Sequence, residues 1–375
     1  MRPQDPFIGR DILNGQFQIL QKIGTGGMGA VYKALQPEMN RMVGVKILHP
    51  KLTNRKDLAS RFRREARAMS HLTHPNTVKV FLYGELEDGS LYIVMEFLEG
   101  KNLNQTVRGE GPMLMPRALP ILIQVCGALE EAHRAGIIHR DLKPENIFLC
   151  HQGGMKDYPK VLDFGLAKVT EREMRPGSLI LTQEGMVFGT PEFMSPEQAQ
   201  GKTLTAGSDI YSLAVILYEV LTGKLPFEAK GAMDYLQLHV SGRPIPLSRR
   251  VEGRVFPQLL DQVMDRALAK RPEDRFASAA DFATALQSVL DGRNQLPFGP
   301  VAPPATNGTH LRPPAPVEAP PPASIGPSAS STGSASLRAL KPRPNPILLL
   351  GGLAVGCLVV GAAVAVLVMK YLMGH

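Results

Sequence analysis

Residues 139–146, a loop rich in charged side chains, read His139-Arg140-Asp141-Leu142-Lys143-Pro144-Glu145-Asn146. The loop follows a helical pattern and precedes two short apolar runs, 147–149 and 161–162, after which Asp163-Phe164-Gly165 opens the next loop. Phosphoryl transfer needs a carboxylate close to the acceptor hydroxyl and oxygen ligands for Mg²⁺. Asp141 can supply the carboxylate, and Asn146 and Asp163 can supply the ligands. These segments therefore indicate metal-assisted phosphoryl transfer.

A glycine-rich segment near the N-terminus reads Gly24-Thr25-Gly26-Gly27-Met28-Gly29-Ala30-Val31 and has the spacing GxGxxGxV. Its glycines allow backbone amides to approach phosphate groups closely. Dinucleotide-binding folds and plain hairpins contain similar strings, so the segment alone is a weak signal. It lies between two predicted strands, and no helical pattern begins after Gly29. This context favours a flap that covers phosphates over a dinucleotide-binding fold.

Two charged residues that follow the glycine-rich segment can act together on phosphates. Lys46 comes after Val43-Gly44-Val45 on the third predicted strand, and Glu65 lies on a predicted helix. Each of them alone can equally be a solvated surface charge. A lysine that binds phosphates needs a carboxylate to fix its position, and a glutamate on a helix can supply it.

Hydrophobic periodicity divides residues 15–290 into a strand-rich part and a helix-rich part. Short apolar or alternating runs predict strands at 17–23, 30–35, 42–47, 78–85 and 91–96, with one helix at 57–72 between them. From residue 116 onward the pattern predicts helices at 118–135, 208–221, 256–269 and 279–290. The sequence therefore predicts an α+β architecture, in which a small β-rich lobe precedes a larger helical lobe and a cleft lies between them.

In this order, the segments resemble the eukaryotic-type protein Ser/Thr kinase family over about residues 17–290. The resemblance implies a bilobal protein-kinase fold, with an N-lobe at about 17–98 and a C-lobe at about 99–290. It also implies binding of ATP with Mg²⁺, or with Mn²⁺ in its place, and phosphate transfer to protein substrates. Pro196-Glu197-Gln198 is similar to bacterial members, so bacterial transmembrane Ser/Thr kinases, which act in signalling, are the nearest group.

The resemblance implies roles for individual residues. Lys46 would hold the α- and β-phosphates and pair with Glu65, Asp141 would be the catalytic base, and Lys143 would support it. Asn146 and Asp163 would carry the metal. The implied ATP-binding residues are Ile23, Gly24, Thr25, Gly26, Gly27, Met28, Gly29, Ala30, Val31, Gly44, Lys46, Met95, Glu96, Leu98 and Phe148. Among these, Met95 looks like the gatekeeper, and the backbone of Glu96 and Leu98 would bond adenine.

Two stretches imply transfer to serine or threonine rather than to tyrosine. Lys143 lies two residues after the implied base, and residues 189–197 resemble the peptide-binding platform of Ser/Thr kinases. On that platform, Thr190 would support the catalytic base and the γ-phosphate. Glu197 would pair with Arg275 as a structural contact.

Three positions depart from the usual pattern of the family. Gly44 and Ser195 stand where alanine is usual, and Ala214 stands where glycine is common. None of these departures removes a charge or a metal ligand. Asp209, which the resemblance expects to stabilise the catalytic loop, is present.

The resemblance also implies regulation by phosphorylation of the loop at about 166–188. In the family, an arginine placed like Arg140 often binds a phosphate on this loop. A phosphate adds about −1.5 to −2 charge and strong acceptor oxygens. The candidate acceptors are Thr170, Ser178 and Thr182, of which Thr182 is favoured because related bacterial loops often carry a threonine pair near this point.

The C-terminal part differs in composition from the rest of the chain. Residues 296–346 are rich in Pro, Ala, Ser and Gly and predict a disordered linker, because they cannot bury enough apolar surface to fold. Residues 347–369 contain no charge and, at about 1.5 Å per residue, span about 34 Å, which predicts one transmembrane helix. Gly352 and Gly356 form a GxxxG pair that can join two such helices, and the kinase domain is the alternative surface for a homodimer.

Charge and cysteine content bear on location. Basic residues precede the predicted span, so the positive-inside rule predicts a single-pass protein of the cell membrane with a cytoplasmic kinase domain and a short extracytoplasmic tail at 370–375. The net charge of +8 is read as a solvated surface or as attraction to anionic membrane lipid. No nucleic-acid partner is expected, since no dense basic stripe with interleaved aromatics occurs. Three cysteines are too few for a disulfide framework or a zinc site.

Three other functions would fit part of this sequence. A pseudokinase scaffold at the membrane would share the fold, but its usual mark is loss of the lysine, the base or the metal aspartate, and all three are present. A small-molecule kinase usually lacks the platform at 190–197. A purely structural membrane protein would leave the catalytic constellation unexplained.

Overall fold

The computed structural model of the chain describes residues 5–26, 29–48, 56–164 and 190–296. All of these residues belong to one unit, Met1–Thr306. The predicted linker at 296–346, the span at 347–369 with its Gly352/Gly356 pair, and the tail at 370–375 lie outside the described residues, apart from Leu296 itself.

The small lobe is built on a six-stranded antiparallel sheet with the order β1-β2-β3-β4-β6-β5. Its strands are β1 (Asp11–Ile12), β2 (Phe17–Gly26), β3 (Gly29–Gln36), β4 (Arg41–Leu48), β5 (Val80–Glu85) and β6 (Leu91–Glu96). One helix, α1 (Lys56–Ser70), follows β4 in the chain and packs on β5.

The two faces of β4 explain why a charged residue is placed inside this lobe. Side chains alternate along a strand, so Val43, Val45 and Ile47 join the apolar cluster on one face of the sheet. Gly44 and Lys46 lie on the other face. Lys46 stands opposite Val31 in the β3–β4 register, which places it next to the glycine-rich segment.

The large lobe is mainly helical. Its helices are α2 (Leu103–Glu110), α3 (Met115–Arg134), α4 (Pro196–Ala199), α5 (Ala206–Thr222), α6 (Ala232–Ser241), α7 (Leu247–Arg250), α8 (Gln258–Ala267) and α9 (Ala279–Leu290). Helix α5 is its centre, because all but one of the side chains from Ser208 to Thr222 are buried. Helices α3, α8 and α9 contact α5, and their apolar residues share one core with it.

A small three-stranded sheet lies beside the helices and carries the catalytic segments. It has the order β7-β8-β9, with β7 (Gly100–Asn102), β8 (Ile147–Gln152) and β9 (Met155–Val161). A short 3-10 turn, Pro144–Asn146, leads directly into β8. Asn146 and Asp163 therefore stand at the two ends of a single hairpin, near the point where Ile147 pairs with Val161.

The predicted α+β architecture, with a β-rich small lobe before a helical large lobe, is confirmed. Several predicted boundaries are shifted by two or three residues. For example, β2 ends at residue 26 rather than 23, β5 begins at 80 rather than 78, α3 begins at 115 rather than 118, and α8 spans 258–267 rather than 256–269. Strands β1 and β7 and the helices α2, α4, α6 and α7 were not predicted. The two strands are only two and three residues long, and α4 and α7 have four residues each. In α2 and α6, too few residues are buried to produce a clear apolar stripe.

No helix among residues 5–26, 29–48, 56–164 and 190–296 combines the length and the apolar character that crossing a membrane requires.

Candidate active site

The backbone of the catalytic loop is fixed by Asp209 near the start of α5. Its Oδ2 accepts the His139 amide at 2.8 Å and contacts His133 Nε2 at 2.7 Å, while its Oδ1 accepts the Arg140 amide at 3.0 Å. Burial would raise the pKa of Asp209, but His133 and the other donors outweigh it and hold the pKa below its usual value. The aspartate therefore stays ionised and orients the loop, as the resemblance implies.

Arg140 and Asp163 have an uncommon backbone conformation. Their φ angles are +70° and +57°, in the left-handed region that costs a residue with a side chain about 1–3 kcal/mol. The Asp209 bond to the Arg140 amide offsets part of this cost. His139 supports the other position, because its Nε2 bonds Leu162 O at 2.8 Å and its ring lies 5.0 Å from the ring of Phe164.

The implied base, its lysine and the first metal ligand form one hydrogen-bonded group. Lys143 Nζ lies 2.7 Å from Asp141 Oδ2. The side-chain amide nitrogen of Asn146, Nδ2, donates to the backbone carbonyl oxygen of Asp141 at 2.7 Å. Asn146 is buried, whereas a third of the Asp141 side chain is exposed (33%). The carboxylate is thus held in position and remains accessible to an acceptor hydroxyl.

Lys46 forms its ion pair with Asp163, at 2.7 Å between Nζ and Oδ2. The pair joins β4 of the small lobe to the loop that follows β9. Burial alone would raise the pKa of Asp163, but Lys46, His139 and Lys143 together outweigh burial and hold the pKa below its usual value. The implied phosphate-binding lysine, Lys46, and the implied metal ligand, Asp163, are therefore in direct contact.

The Lys46–Glu65 pair that the resemblance implies is not formed in this structure. Glu65 lies half-buried on α1, and no ion pair joins it to Lys46 among the described residues. Lys46 is paired with Asp163 instead. Asp163 lies within 2.7 Å of Lys46 and neutralises it in the conformation described here.

The glycine-rich segment is described on both sides of Gly27 and Met28, which lie outside the described residues. Gly29 has a φ of +153°, and a Cβ atom there would come within 2.1 Å of Ile47 O. Only glycine allows β3 to approach β4 so closely. Thr25 and Ala30 form a register pair in the β2–β3 hairpin, and Ile23 is about half exposed (48%).

The implied adenine contacts come from the segment that links the lobes and from strands β4 and β8. Gly44 pairs with Met95 in the β4–β6 register, and a Cβ atom at Gly44 would lie 3.3 Å from Met95 Cγ. The Glu96 amide already donates to Lys79 O, so its carbonyl is the group of that residue left for adenine. Leu98 follows β6 and is half-buried, and Phe148 lies on β8 opposite Asn102.

Lys160 belongs to this region and was not identified from the sequence. Its Nζ lies 2.7 Å from Glu96 Oε1, and its side chain is only 7% exposed. The pair ties the segment between the lobes to β9. The only sequence signal is a lone lysine in a strand, which does not indicate its partner.

The platform residues are anchored to the large lobe. Thr190 precedes a 3-10 turn, Pro191–Phe193. Glu197 accepts two bonds of 2.8 Å from Arg275, and Ser208 Oγ donates to it at 2.6 Å. Gln198, which sequence reasoning missed, donates to Arg140 O at 2.8 Å and so joins the platform to the catalytic loop.

The regulatory acceptors Thr170, Ser178 and Thr182 lie outside the described residues, as does Gly165. Arg140 lies next to the implied base, which is where a phosphate-binding arginine would be required. The assignment of these four residues to regulation stays a prediction.

The donor set at the hairpin fits Mg²⁺. Asp163 offers a carboxylate, and Asn146 offers an amide oxygen because its nitrogen is committed to Asp141 O. The two residues are held together, since the Leu162 amide donates to Asn146 O at 2.9 Å. Mg²⁺ uses one or two such protein oxygens and takes its remaining ligands from phosphates and water. Asn146 and Asp163 are therefore the residues that would hold the ion.

Comparison with known families agrees with this geometry. Residues 17–288 match the family described as "Protein kinase domain". This chain belongs to the protein kinase family. The family that the sequence segments predict is therefore confirmed. The matched residues include those that form the candidate site.

Bacterial serine/threonine-protein kinases are among the relatives of this protein kinase. It is 42% identical over 297 residues to serine/threonine-protein kinase pkn3 of Myxococcus xanthus, covering 79% of this chain and 54% of the relative. It is 40% identical over 283 residues to serine/threonine-protein kinase PknB of Mycobacterium tuberculosis, covering 75% and 44%. The chain thus spans about half, or less, of the length of these curated relatives.

A solved structure shares the fold. The kinase domain of Mycobacterium tuberculosis PknI matches 75% of this chain and 98% of its own length, with a TM-score of 0.58 and 26% identity. The bilobal kinase architecture of the described residues is thereby supported by an independent structure.

Proposed function

We propose that this chain is an active protein Ser/Thr kinase that transfers the γ-phosphate of ATP to serine and threonine hydroxyls of proteins. One observation carries the proposal. The lysine, the base and both metal ligands are retained, and they occupy two adjoining groups, Lys46–Asp163 and Asp141–Lys143–Asn146, each held by bonds of 2.7 Å. The family and the bacterial Ser/Thr kinases among its relatives support the same activity.

In the proposed reaction, Asp141 orients the acceptor hydroxyl and takes its proton. Lys143, bonded to the same carboxylate, carries positive charge to the place where the transferred phosphoryl group becomes more negative. Lys46 exchanges its bond to Asp163 for the α- and β-phosphates. Asn146 and Asp163 would hold Mg²⁺, which would supply positive charge to the phosphate oxygens. Because Asp209 fixes the loop backbone beforehand, little rearrangement remains for the chemical step.

The proposed activity is tested by replacing the phosphate-binding lysine. The full chain is expected to transfer labelled phosphate from ATP to a generic basic protein, and Lys46→Ala to lose that transfer. Lys156→Ala is the matched control, because Lys156 is an exposed residue of β9 and should retain wild-type transfer. A wild-type chain that folds and binds Mg-ATP yet labels nothing would overturn the proposal.

Phosphorylation of its own loop at 166–188 is a further part of the proposed function. We expect protein expressed alone to carry phosphate on this loop, with Thr182 as the main acceptor. Arg140 lies beside the catalytic base and can bind a phosphate on this loop. Mass spectrometry of wild type and of Asp141→Asn measures the site. Loop phosphate that persists unchanged in the variant, with no other kinase present, would contradict self-phosphorylation.

Attachment to the cell membrane is proposed for residues 347–369 on the basis of their length and lack of charge. The full chain is expected to sediment with membranes and to resist extraction by high salt, which removes proteins held only by charge. A chain that ends at residue 346 should stay in the supernatant when membranes are sedimented. If both forms remain in the supernatant, the proposed anchor is wrong.

A further inference from the structure

A buried histidine outside the catalytic groups is bonded to the platform turn. His239 lies on α6 with no exposed surface. Its Nε2 lies 3.0 Å from the carbonyl oxygen of Glu192, and its Nδ1 lies 2.9 Å from the hydroxyl of Tyr211 on α5. A carbonyl oxygen can only accept, so Nε2 carries a proton. Burial lowers the pKa of His239 to about 4, so the ring is neutral at pH 7 and accepts the Tyr211 hydroxyl at Nδ1. The ring thus bridges α5 to the backbone of the turn.

The turn is fixed to the large lobe by its buried side chains and by two of its carbonyls. Pro191–Phe193 forms one 3-10 turn with the Phe193 amide bonded to Thr190 O. Its next carbonyl, Phe193 O, accepts Ser212 Oγ at 2.7 Å. Two successive carbonyls are therefore held by side chains of the large lobe, one from α6 through His239 and one from α5 through Ser212.

The ring of His239 is held in turn by its surroundings. Phe227 lies against it with centroids 5.0 Å apart and planes at 83°. Lys270 Nζ donates to the His239 carbonyl at 2.9 Å and to Leu238 O at 3.2 Å. These contacts close the C-terminal turn of α6 and fix the direction in which Nε2 points. The imidazole is thus a rigid link rather than a side chain that can follow the turn.

We infer that His239 is a positioning residue for the protein substrate: it holds the Glu192 carbonyl, and through it the platform turn beside Thr190, in the orientation that accepts a peptide. The inference rests on the proposed kinase function, because a platform has a role only if a peptide binds there. His239 does not touch the nucleotide side of the cleft, where Lys46, Met95 and Glu96 lie. Its effect should therefore fall on the protein substrate and not on ATP.

The first test measures steady-state kinetics of the full chain with a peptide substrate and with ATP. His239→Leu removes both hydrogen bonds and is expected to raise the KM for peptide about tenfold, equal to about 1.4 kcal/mol, with the KM for ATP unchanged. His239→Gln retains an N–H donor near the place of Nε2 and should recover most of the peptide KM. Tyr235→Phe is the matched control, since Tyr235 lies on the same helix with its ring 6.4 Å from that of His239.

These outcomes separate positioning from a purely structural role. A histidine that only fills the core would lower thermal stability in His239→Leu and change both KM values together, with no recovery in His239→Gln. An unchanged KM for peptide in folded His239→Leu would also overturn the inference.

A second measurement does not depend on activity. Hydrogen exchange of the full chain should be faster at the amides of Phe193 and Met194 in His239→Leu, and unchanged in the middle of α5. If wild type transfers no phosphate, the proposed function fails, but this exchange measurement still decides whether His239 holds the turn. Exchange equal to wild type at both amides would refute the positioning role.

Discussion

Replacing Asp141 with asparagine is expected to lower the rate of phosphate transfer by about 10²–10⁴-fold, the range that general acid–base groups contribute. Asparagine has nearly the same size and can still accept a bond from Lys143, which lies 2.7 Å from the carboxylate. It cannot take a proton from the acceptor hydroxyl. The loss should therefore appear in kcat, while binding of Mg-ATP by Lys46, Asn146 and Asp163 is retained. Steady-state kinetics and a nucleotide-binding titration measure the two quantities.

Asp11→Asn is the control for this change, because Asp11 is an exposed carboxylate on β1, at the edge of the small-lobe sheet. It should leave kcat within about twofold of wild type, as expected for a surface substitution. Full transfer by Asp141→Asn would mean that Asp141 is not the base. Equal losses in nucleotide affinity and kcat would instead indicate that the asparagine disturbs the whole loop.

Replacing Arg275 with alanine is expected to lower the free energy of unfolding by about 3–5 kcal/mol. The Arg275 and Glu197 side chains are 0% and 5% exposed, and the guanidinium also donates to the carbonyls of Gly207, Ala269 and Lys270. Removing the arginine leaves a buried carboxylate without its cation and takes one donor away from each of three carbonyls. Denaturant unfolding at neutral pH measures the change.

A neighbouring arginine provides the control. Arg271 pairs with Glu273, but their side chains are 58% and 56% exposed, so Arg271→Ala should leave the free energy of unfolding close to that of wild type. Similar effects of the two substitutions would show that burial of the Arg275–Glu197 pair is not what matters.

The pH dependence of the Arg275→Ala variant follows from Glu197. Burial raises the pKa of Glu197, but Arg275 and Ser208 outweigh burial and keep the pKa below 4.5 in the wild type. The stability that the wild-type pair contributes is present above about pH 4.5 and is lost as pH falls through the folded pKa. Without Arg275, burial dominates and raises that pKa. The deficit of the variant should therefore be smaller at about pH 5 than at about pH 7.

The sequence predicted the parts of this protein that depend on order and local pattern. The strands β2 to β6 and the helices α1, α3, α5, α8 and α9 follow from hydrophobic periodicity, because each buries one face or one stripe. The catalytic segments were recognised because Asp141, Asn146 and Asp163 are close in sequence. The Asp209–loop contact was expected from the family resemblance and is present.

Contacts between distant residues could not be obtained in this way. Lys46 has two candidate carboxylates, Glu65 and Asp163, and sequence spacing does not indicate which one its ammonium reaches. Lys160 and His239 were missed for a related reason. A single lysine in a strand or a single histidine in a short helix has no local pattern, and its partner becomes visible only when the fold brings Glu96 or Glu192 beside it.

The attachment of the catalytic loop to Asp209 has a consequence for how this protein would lose activity on heating. Surface loops commonly open by themselves at small free-energy cost, long before the domain unfolds. Here the amides of His139 and Arg140 are bonded to a carboxylate on α5, the most deeply buried helix of the large lobe. The loop cannot detach without exposing that carboxylate or displacing the helix that carries it. Thermal inactivation and melting of the large lobe should therefore coincide as one event.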